Sequence, residues 1–152
     1  MDIEVVRTSP VTEPMAQLNI GANPTAKNPP GGKAYGHVDA RDPITGEVTW
    51  RVDFPEPPLA SLLSTGGNLL FVPDSRGVLH AYDARNGAEL WSHNNGLGHT
   101  GGIISYSSKG KQYVTVAVGW GSLVGDEFSE LFGEPYTSMA TDQGYLVTFT
   151  LP

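Results

Sequence analysis

A spaced motif occurs twice in this chain, and its period constrains the fold more than any other feature of the sequence. Five positions recur 41 residues apart in the pattern G-x-x-x-A-x-D-x-x-x-G-x-x-x-W. The pairs are Gly36 and Gly77, Ala40 and Ala81, Asp42 and Asp83, Gly46 and Gly87, and Trp50 and Trp91. A period of about 40 residues with several short strands in each unit is typical of β-propeller blades.

Each shared position of the repeat has a structural explanation. The alanine suits the end of a strand, the aspartate side chain can cap a turn through backbone N–H groups, and the glycine permits a positive φ. The tryptophan then begins the next strand and offers a large packing surface. We therefore interpret Asp42 and Asp83 as turn caps and not as catalytic carboxylates.

Composition supports short strands joined by many turns and excludes several functions. The 152 residues include 19 Gly and 12 Pro, while charged residues make up 16%. A net charge of −7 with scattered basic residues argues against nucleic acid as a partner. There is no cysteine for a disulfide or thiolate metal site, and no apolar run long enough for a membrane span. The N-terminus lacks the features of a signal peptide, so we expect either a cytoplasmic protein or a start upstream.

The strand pattern predicts an all-β fold, a partial β-propeller with about two and a half four-stranded antiparallel blades in one incomplete domain. Residues 1–54 form a partial blade with a long loop at 7–32, residues 55–92 a complete blade, and residues 93–152 a partial terminal blade with a long loop at 119–143. The predicted strands are 1–6, 33–40 and 48–53, then 59–64, 68–72, 77–82 and 89–92, then 103–107, 112–118 and 145–151. Because closed propellers carry about four to eight blades, we expect such an arc to be unstable alone or to self-associate.

Several stretches together resemble the last quarter of quinoprotein methanol and ethanol dehydrogenases, which are pyrroloquinoline-quinone (PQQ)-dependent alcohol dehydrogenases with an eight-bladed propeller. The stretches are the repeat, LSTGGNLLF at 63–71, GKQYVTV at 110–116, the GWG loop at 119–121 and LVTFTLP at 146–152. The resemblance implies a C-terminal piece of an enzyme that oxidises a primary alcohol with PQQ as electron acceptor. It also implies calcium or a lanthanide held by ligands outside this chain, a cytochrome-type electron acceptor and a periplasmic location.

The resemblance places one part of the cofactor site in this chain. A Gly-Trp pair in the last blade of the family lines the quinone pocket, and the matching residues are Gly119 and Trp120. A planar quinone needs an aromatic or apolar wall and backbone donors that glycine leaves accessible. We expect the indole at the axial end of the third blade, near the connections 53–58 and 93–102. The alternative is that Trp120 only covers the core at the base of a loop.

Other family features are missing from the chain. Residues 58–61 read PLAS, where the family usually has a tryptophan with paired glycines that faces the same pocket. The catalytic aspartate, the metal ligands, the carboxylate-binding arginines and the paired cysteines belong to earlier blades and have no counterpart here. We therefore predict no catalytic or metal-binding residue in this chain, and no activity without the missing blades. The alternatives are a non-catalytic propeller scaffold for protein–protein interaction, or the smaller half of a split dehydrogenase.

The remaining signals favour structural roles. GLGHTG at 96–101 fits the dinucleotide pattern G-x-G-x-x-G, but the next residues predict a strand where that site needs a helix. His99 has a place in this connection that would suit the axial site, although an ordinary exposed histidine is the better expectation. The acidic residues of the second long loop suit a solvated loop better than a cation site, namely Asp126, Glu127, Glu130 and Glu134.

Overall fold

A computed structural model of the chain describes the backbone of residues 2–7, 22–121 and 125–150, and side chains from residue 27 onward within those ranges except those of 125 and 126. It divides into two compact units, Met1–Ala34 and Tyr35–Pro152. Parts of the two predicted long loops, residues 8–21 and 122–124, lie outside the described residues. Leu151, at the end of the last predicted strand, also lies outside them.

The first unit contains a two-stranded antiparallel hairpin. Strand β1 (Asp2–Arg7) pairs with strand β2 (Ala22–Lys27), in a register that places Val5 opposite Pro24. The predicted strand 1–6 corresponds to β1, whereas the predicted loop 7–32 is corrected, because its residues 22–27 form the strand β2 that pairs with β1. The sequence ANPTAK did not signal a strand, since alanine, asparagine and proline are all depleted in strands.

The second unit contains three antiparallel sheets that follow one another along the chain. The first sheet pairs two strands, the second has four in the order of the chain, and the third has three with the middle strand in the centre. The strands are β3 (Gly36–Arg41) and β4 (Val48–Phe54); β5 (Leu63–Ser64), β6 (Leu69–Pro73), β7 (Val78–Asp83) and β8 (Glu89–Asn94); and β9 (Ile103–Ser108), β10 (Lys111–Gly119) and β11 (Gly144–Thr150).

The repeated motif takes the same structure in the first two sheets. Ala40 faces Trp50 and Ala81 faces Trp91 across the last strand pair, and an irregularity in register follows each alanine. The two tryptophans therefore occupy equivalent register positions on successive sheets. The aspartates of the motif are turn caps, as predicted: Asp42 Oδ1 accepts hydrogen bonds from the backbone N of Ile44 and Thr45 at 2.8 Å, and Asp83 Oδ1 accepts one from the N of Arg85 at 2.9 Å.

Two apolar layers join the three sheets. Between the first and second sheets, the buried residues are Val38, Phe54, Val72 and Tyr82. Trp50 completes this layer, since its Nε1 donates to the carbonyl of Ala84 at 3.0 Å and its ring lies so close to Gly87 that a Cβ there would be 2.8 Å away. Between the second and third sheets, the buried residues are Leu79, Ile103, Val114, Val116 and Val118.

The second long connection contains a helix, which the sequence analysis did not predict. Helix α1 (Gly125–Phe132) lies between β10 and β11 within the predicted loop 119–143. Its apolar residues Phe128, Leu131 and Phe132 are spaced at i, i+3 and i+4, so they share one face. The helix ends at Phe132, and the next residue, Gly133, has a φ of 67° and donates its backbone N–H to the carbonyl of Ser129 at 3.0 Å.

Candidate functional site

The candidate site lies where β10 ends and three chain segments meet. Gly119 pairs with Gly144 of β11 on one side, and on the other its backbone N donates to the carbonyl of Gly98 at 2.9 Å. The hydroxyl of Thr100 donates to the carbonyl of Gly119 at 3.2 Å. The Gly-Trp pair is thus held by the connection that enters the third sheet and by the segment that enters β11.

Trp120 is buried in an aromatic cluster, with 1% of its surface exposed. Its ring centroid lies 5.3 Å from that of Phe128 and 5.0 Å from that of Tyr136. The partly buried residues around this cluster are Leu59, Phe132 and Met139. Helix α1 and the segment after it therefore supply most of the wall around the indole.

Gly98 allows the indole to lie against the connection that enters the third sheet. A Cβ at Gly98 would lie 2.5 Å from Trp120 Cε3 and 2.4 Å from the carbonyl oxygen of Ser75. The indole therefore lies beside the connection 93–102, one of the two expected connections, and it belongs to neither of the clusters that contain Tyr82 or Leu79. A position at the axial end of the sheet and near the connection 53–58 stays a prediction. Its contact with a cofactor stays a prediction.

A cavity of about 390 Å³ opens beside the Gly-Trp pair. It is a shallow depression that is open to solvent and not an enclosed cavity. Its lining is made of small and polar residues together with Trp120, and the described lining includes no lysine or arginine. The lining residues are Thr100, Gly101, Ala117, Val118, Gly119, Trp120, Gly121, Thr141, Asp142 and Gln143.

The turn between β6 and β7 is joined to the candidate site by a buried hydrogen bond. The hydroxyls of Ser75 and Tyr136 share a hydrogen bond of 2.9 Å, and both residues are buried. Burial raises the pKa of Tyr136 to about 12, although the Ser75 hydroxyl opposes the rise. The phenol therefore stays neutral at physiological pH. Its hydrogen bond joins the segment that follows helix α1 to the second sheet. Neither residue was singled out from the sequence, and no local motif marks them.

His99 is fully buried, so the expectation of an exposed histidine was wrong. Its Nδ1 lies 2.9 Å from the carbonyl oxygen of Asp74, and its Nε2 lies 3.1 Å from Asn95 Nδ2. These partners fit a neutral imidazole that donates from Nδ1 and accepts at Nε2. Burial lowers the pKa of His99, in agreement with the neutral form. His99 thus joins the turn at Asp74 to the connection that carries Gly98.

His80 is a second histidine that interacts with Asp74, in the turn between β6 and β7. Its Nε2 lies 3.2 Å from Asp74 Oδ2, and its Nδ1 lies 3.3 Å from Glu89 Oε1. Burial disfavours the protonated ring, but the two carboxylates outweigh burial and raise the pKa of His80. Its ring also stacks on Tyr82, which places it in a packing position away from the cavity.

The other sequence signals have structural explanations in the described residues. The glycine-rich segment 96–101 is followed by strand β9, so it does not present the N-terminus of a helix as a dinucleotide site requires. Of the acidic residues in the second long connection, Glu134 accepts a hydrogen bond from Ser138 Oγ at 2.6 Å and one from Thr137 Oγ1, which lower its pKa. Among the residues with described positions, no group of three His, Cys, Asp or Glu side chains could hold a metal ion. The described helix is too short and too polar to cross a membrane.

Comparison with known proteins relates this fold to a family and to several enzymes. The family model PQQ_2, described as outer membrane protein assembly factor BamB, matches residues 34–119. Among curated relatives, a 1-butanol dehydrogenase (cytochrome c) from Thauera butanivorans is 39% identical over 98 residues, which are 64% of this chain and 14% of that protein. The dehydrogenase subunit of an alcohol dehydrogenase (quinone) from Acetobacter aceti is 42% identical over 89 residues, 59% of this chain and 12% of that subunit.

Solved structures give the same relationship over more of the chain. A quinohemoprotein alcohol dehydrogenase from Pseudomonas putida HK5 covers 98% of this chain with a TM-score of 0.72 and 27% identity, and the match is 22% of that enzyme. A europium-containing methanol dehydrogenase covers 86% with a TM-score of 0.69 and 25% identity, and the match is 26% of that enzyme. The chain thus spans between about one eighth and one quarter of the proteins it resembles. The prediction of an all-β partial propeller, similar to part of a quinoprotein alcohol dehydrogenase, is confirmed.

Proposed function

Because the chain belongs to the PQQ_2 family, we propose that it is a C-terminal fragment of a periplasmic quinoprotein alcohol dehydrogenase. In the parent assembly its third sheet forms one wall of the PQQ site through Gly119 and Trp120. The observation that supports this role is the cavity of about 390 Å³ beside the two residues, at the end of a sheet whose fold matches solved quinoprotein enzymes. A cytochrome-type protein is the proposed electron acceptor of the whole assembly.

The chemistry of the cavity fits part of a quinone site. Backbone of three consecutive positions, Gly119 to Gly121, and small side chains give a flat, accessible wall that a planar ring can approach. The described lining has an acidic residue, Asp142, and no cation, so this wall suits the ring edge and not the three carboxylates of PQQ. The carboxylates and the metal ion then require groups from the missing blades.

The residues of this chain contribute position and not proton transfer. When bound, PQQ accepts the hydride equivalent that leaves the alcohol carbon. The aromatic cluster around Trp120 excludes water behind the wall, and the bond from Gly119 N to Gly98 O fixes the backbone that faces the cavity. Because Gly119 N already has a protein acceptor, this N–H serves the fold and not the cofactor. The carboxylate base that takes the alcohol proton belongs to the missing blades.

The first experiment tests the fragment itself. The isolated 152-residue chain is mixed with PQQ, calcium or a lanthanide, and a primary alcohol, and the reduction of an electron-acceptor dye is measured. We expect no rate above a protein-free control. Sustained alcohol-dependent turnover would contradict the proposal that the base and metal ligands lie elsewhere.

The second experiment tests the cofactor role within a complete enzyme. Residues 35–152 replace the matching segment of the quinohemoprotein alcohol dehydrogenase from Pseudomonas putida HK5, which covers almost the whole chain. In this chimaera, Trp120→Ala should weaken PQQ binding, because the backbone of residues 119–121 loses the aromatic packing that holds it beside the cavity. Trp91→Ala is the matched control, because Trp91 packs with His93 and Phe149 away from the cavity. Equal PQQ affinities of the two variants would show that Trp120 has no specific role in PQQ binding.

A non-catalytic scaffold is the second candidate function, and the burial of Trp120 favours it. With 1% of its surface exposed, the indole already has its packing partners within the chain and does not need a cofactor to cover it. In a scaffold, the chimaera would fold but fail to bind PQQ even without any substitution. The same binding measurement therefore separates the two candidates.

A further inference from the structure

The turn between β6 and β7 holds several segments that lie around the candidate site. Each of three consecutive residues in this turn binds a residue of a different connection, namely Asp74 with His99, Ser75 with Tyr136 and Arg76 with Glu56. The first of these links continues through the connection 95–100 to the backbone of Gly119, which lines the cavity. His99 is therefore the side chain that joins the turn to the wall of the cavity.

His99 binds the turn through two groups at once. The carbonyl of Asp74 accepts the backbone N–H of His99 at 3.2 Å and the Nδ1–H of its ring at 2.9 Å. The ring is fully buried, so no water replaces a contact that it loses. Because a buried polar group without a partner is costly, both ring nitrogens must keep their contacts in the folded chain. The position of His99 relative to the turn is therefore closely defined.

The two neighbours of His99 hold both polar groups of the Gly119 backbone. Gly119 N donates to the carbonyl of Gly98 at 2.9 Å, and the hydroxyl of Thr100 donates to the carbonyl of Gly119 at 3.2 Å. His99 itself pairs with Gly119 in a parallel bridge between these two bonds. Thr100 and Gly119 both line the cavity. A displacement of His99 would therefore reach the wall of the cavity through two hydrogen bonds.

Asn95 selects the form of the imidazole that this arrangement needs. Nδ1 of His99 faces a carbonyl oxygen and must carry the proton, so Nε2 of the neutral ring has a lone pair. Asn95 Nδ2 lies 3.1 Å from this Nε2 and donates to it. Asn95 is held in turn, because its N donates to the carbonyl of Gly77 at 2.7 Å and its carbonyl accepts the hydroxyl of Tyr145. The fold thus selects the Nδ1–H tautomer, which is the minor form of a neutral histidine in water.

We propose that His99, in its Nδ1–H form, is a positioning residue that holds the backbone of Gly119 as a fixed wall of the cavity. A wall that is already ordered does not have to be ordered by the ligand, so the anchor increases the affinity for a flat ring. His99 acts through Gly98 and Thr100 and not by contact with the ligand. The effect on PQQ rests on the proposed function, whereas the effect on the Gly119 backbone is a property of this chain alone.

NMR spectroscopy of the isotope-labelled full chain tests the anchor without any ligand. Long-range proton–nitrogen correlations should show the ring proton of His99 on Nδ1. A proton on Nε2 would overturn the proposal, and this measurement requires no substitution.

Two amide variants then test which contact of the ring matters. The short amide of His99→Asn can place an N–H where Nδ1–H lies and keep the bond to the carbonyl of Asp74, whereas the longer amide of His99→Gln overlaps Nε2 and leaves that carbonyl unpaired. We expect His99→Gln to accelerate hydrogen exchange at Gly119 N roughly tenfold, as the loss of one buried hydrogen bond predicts, and His99→Asn to restore most of the protection.

The internal reference is the amide of Ala117, which donates to the carbonyl of Gly102 at 3.0 Å from the same strand. A general loss of stability would accelerate exchange at Ala117 and Gly119 equally, and that result would overturn the proposal. Equal exchange at Gly119 in His99→Asn and His99→Gln would also overturn it, because the bond from Nδ1 would then have no specific role.

PQQ binding in the chimaera distinguishes this proposal from the proposed function. We expect His99→Gln to weaken PQQ binding roughly tenfold and His99→Asn to restore most of the affinity. His93→Gln is the matched control, because His93 packs against Trp91 and Phe149 away from the cavity. If the unsubstituted chimaera does not bind PQQ, the proposed function fails, and the exchange of Gly119 still decides the role of His99. If the chimaera binds PQQ and His99→Gln keeps its full affinity, the proposal fails.

Discussion

Trp120→Ala should destabilise the second unit strongly, because the indole is the centre of the cluster that covers the end of β10. The ring has 1% of its surface exposed and contacts Phe128 and Tyr136. Removing a buried tryptophan costs about 3–5 kcal/mol, the sum of lost apolar burial and the cavity that remains.

Urea unfolding followed by far-UV circular dichroism measures this loss. A small protein has a slope of about 1–3 kcal/mol per molar urea, so a loss of about 3 kcal/mol lowers the midpoint by roughly 1–3 M. A midpoint too low to measure is itself consistent with the upper end of the range. Trp120→Phe then gives a measurable midpoint, since the phenyl ring keeps part of the contact.

Trp91→Ala is the control for the size of the substitution. Trp91 is 41% exposed and packs with His93 and Phe149, so it buries less of the same side chain. We expect a loss of about 1–2 kcal/mol from partial burial. If Trp91→Ala destabilises as much as Trp120→Ala, the aromatic cluster does not anchor the connection between β10 and β11.

Two further measurements test the support of the site and its pH dependence. Gly98→Ala should cost about 1–3 kcal/mol by overpacking, since its Cβ would lie 2.4 Å from Ser75 O and 2.5 Å from the Trp120 ring. Gly102→Ala is the control and should be nearly neutral, because a Cβ at Gly102 would have no atom within 4 Å. Equal urea midpoints of the two variants would contradict this packing. The raised pKa of His80 means that the folded chain binds the proton more tightly than the unfolded chain, so this stabilisation is complete below the ordinary value of 6.5 and is lost as pH rises through the raised value. The stability difference between the native chain and His80→Gln should therefore be larger at about pH 6 than at about pH 8.5, and a difference that does not change with pH would exclude this role.

The sequence predicted those parts of the fold that local turn chemistry determines. Asp42 and Asp83 cap their turns through backbone N–H groups two and three residues away, so the motif carries its own structure. Trp50 contacts Ala84 and Gly87 within the next copy of the motif, a contact between sheets that the sequence analysis did not specify. Strand β2 was missed because alanine, asparagine and proline give no strand signal.

The surroundings of the candidate site depend on contacts between distant residues, and these were not predictable from local patterns. His99 is buried because the carbonyl of Asp74, in another connection, accepts its hydrogen bond. Trp120 is buried because helix α1 and Tyr136 fold over it from the following connection. The helix did have a signal, since Phe128, Leu131 and Phe132 share one face and Gly133 follows, but the sequence analysis treated residues 119–143 as a loop.

The burial of Trp120 changes how the proposed cofactor role can operate. With the indole covered and Gly119 N bonded to Gly98, the chain presents mainly backbone and the polar side chains of Thr100, Asp142 and Gln143 to the cavity. The aromatic cluster then acts on PQQ by holding this wall in place, and substitutions within the cluster should lower stability and PQQ affinity together. A substitution in the lining itself, such as Asp142→Asn, should change affinity alone, because its side chain is exposed. A pattern in which cluster variants lose stability but keep full PQQ affinity would therefore separate the packing role of Trp120 from the cofactor site.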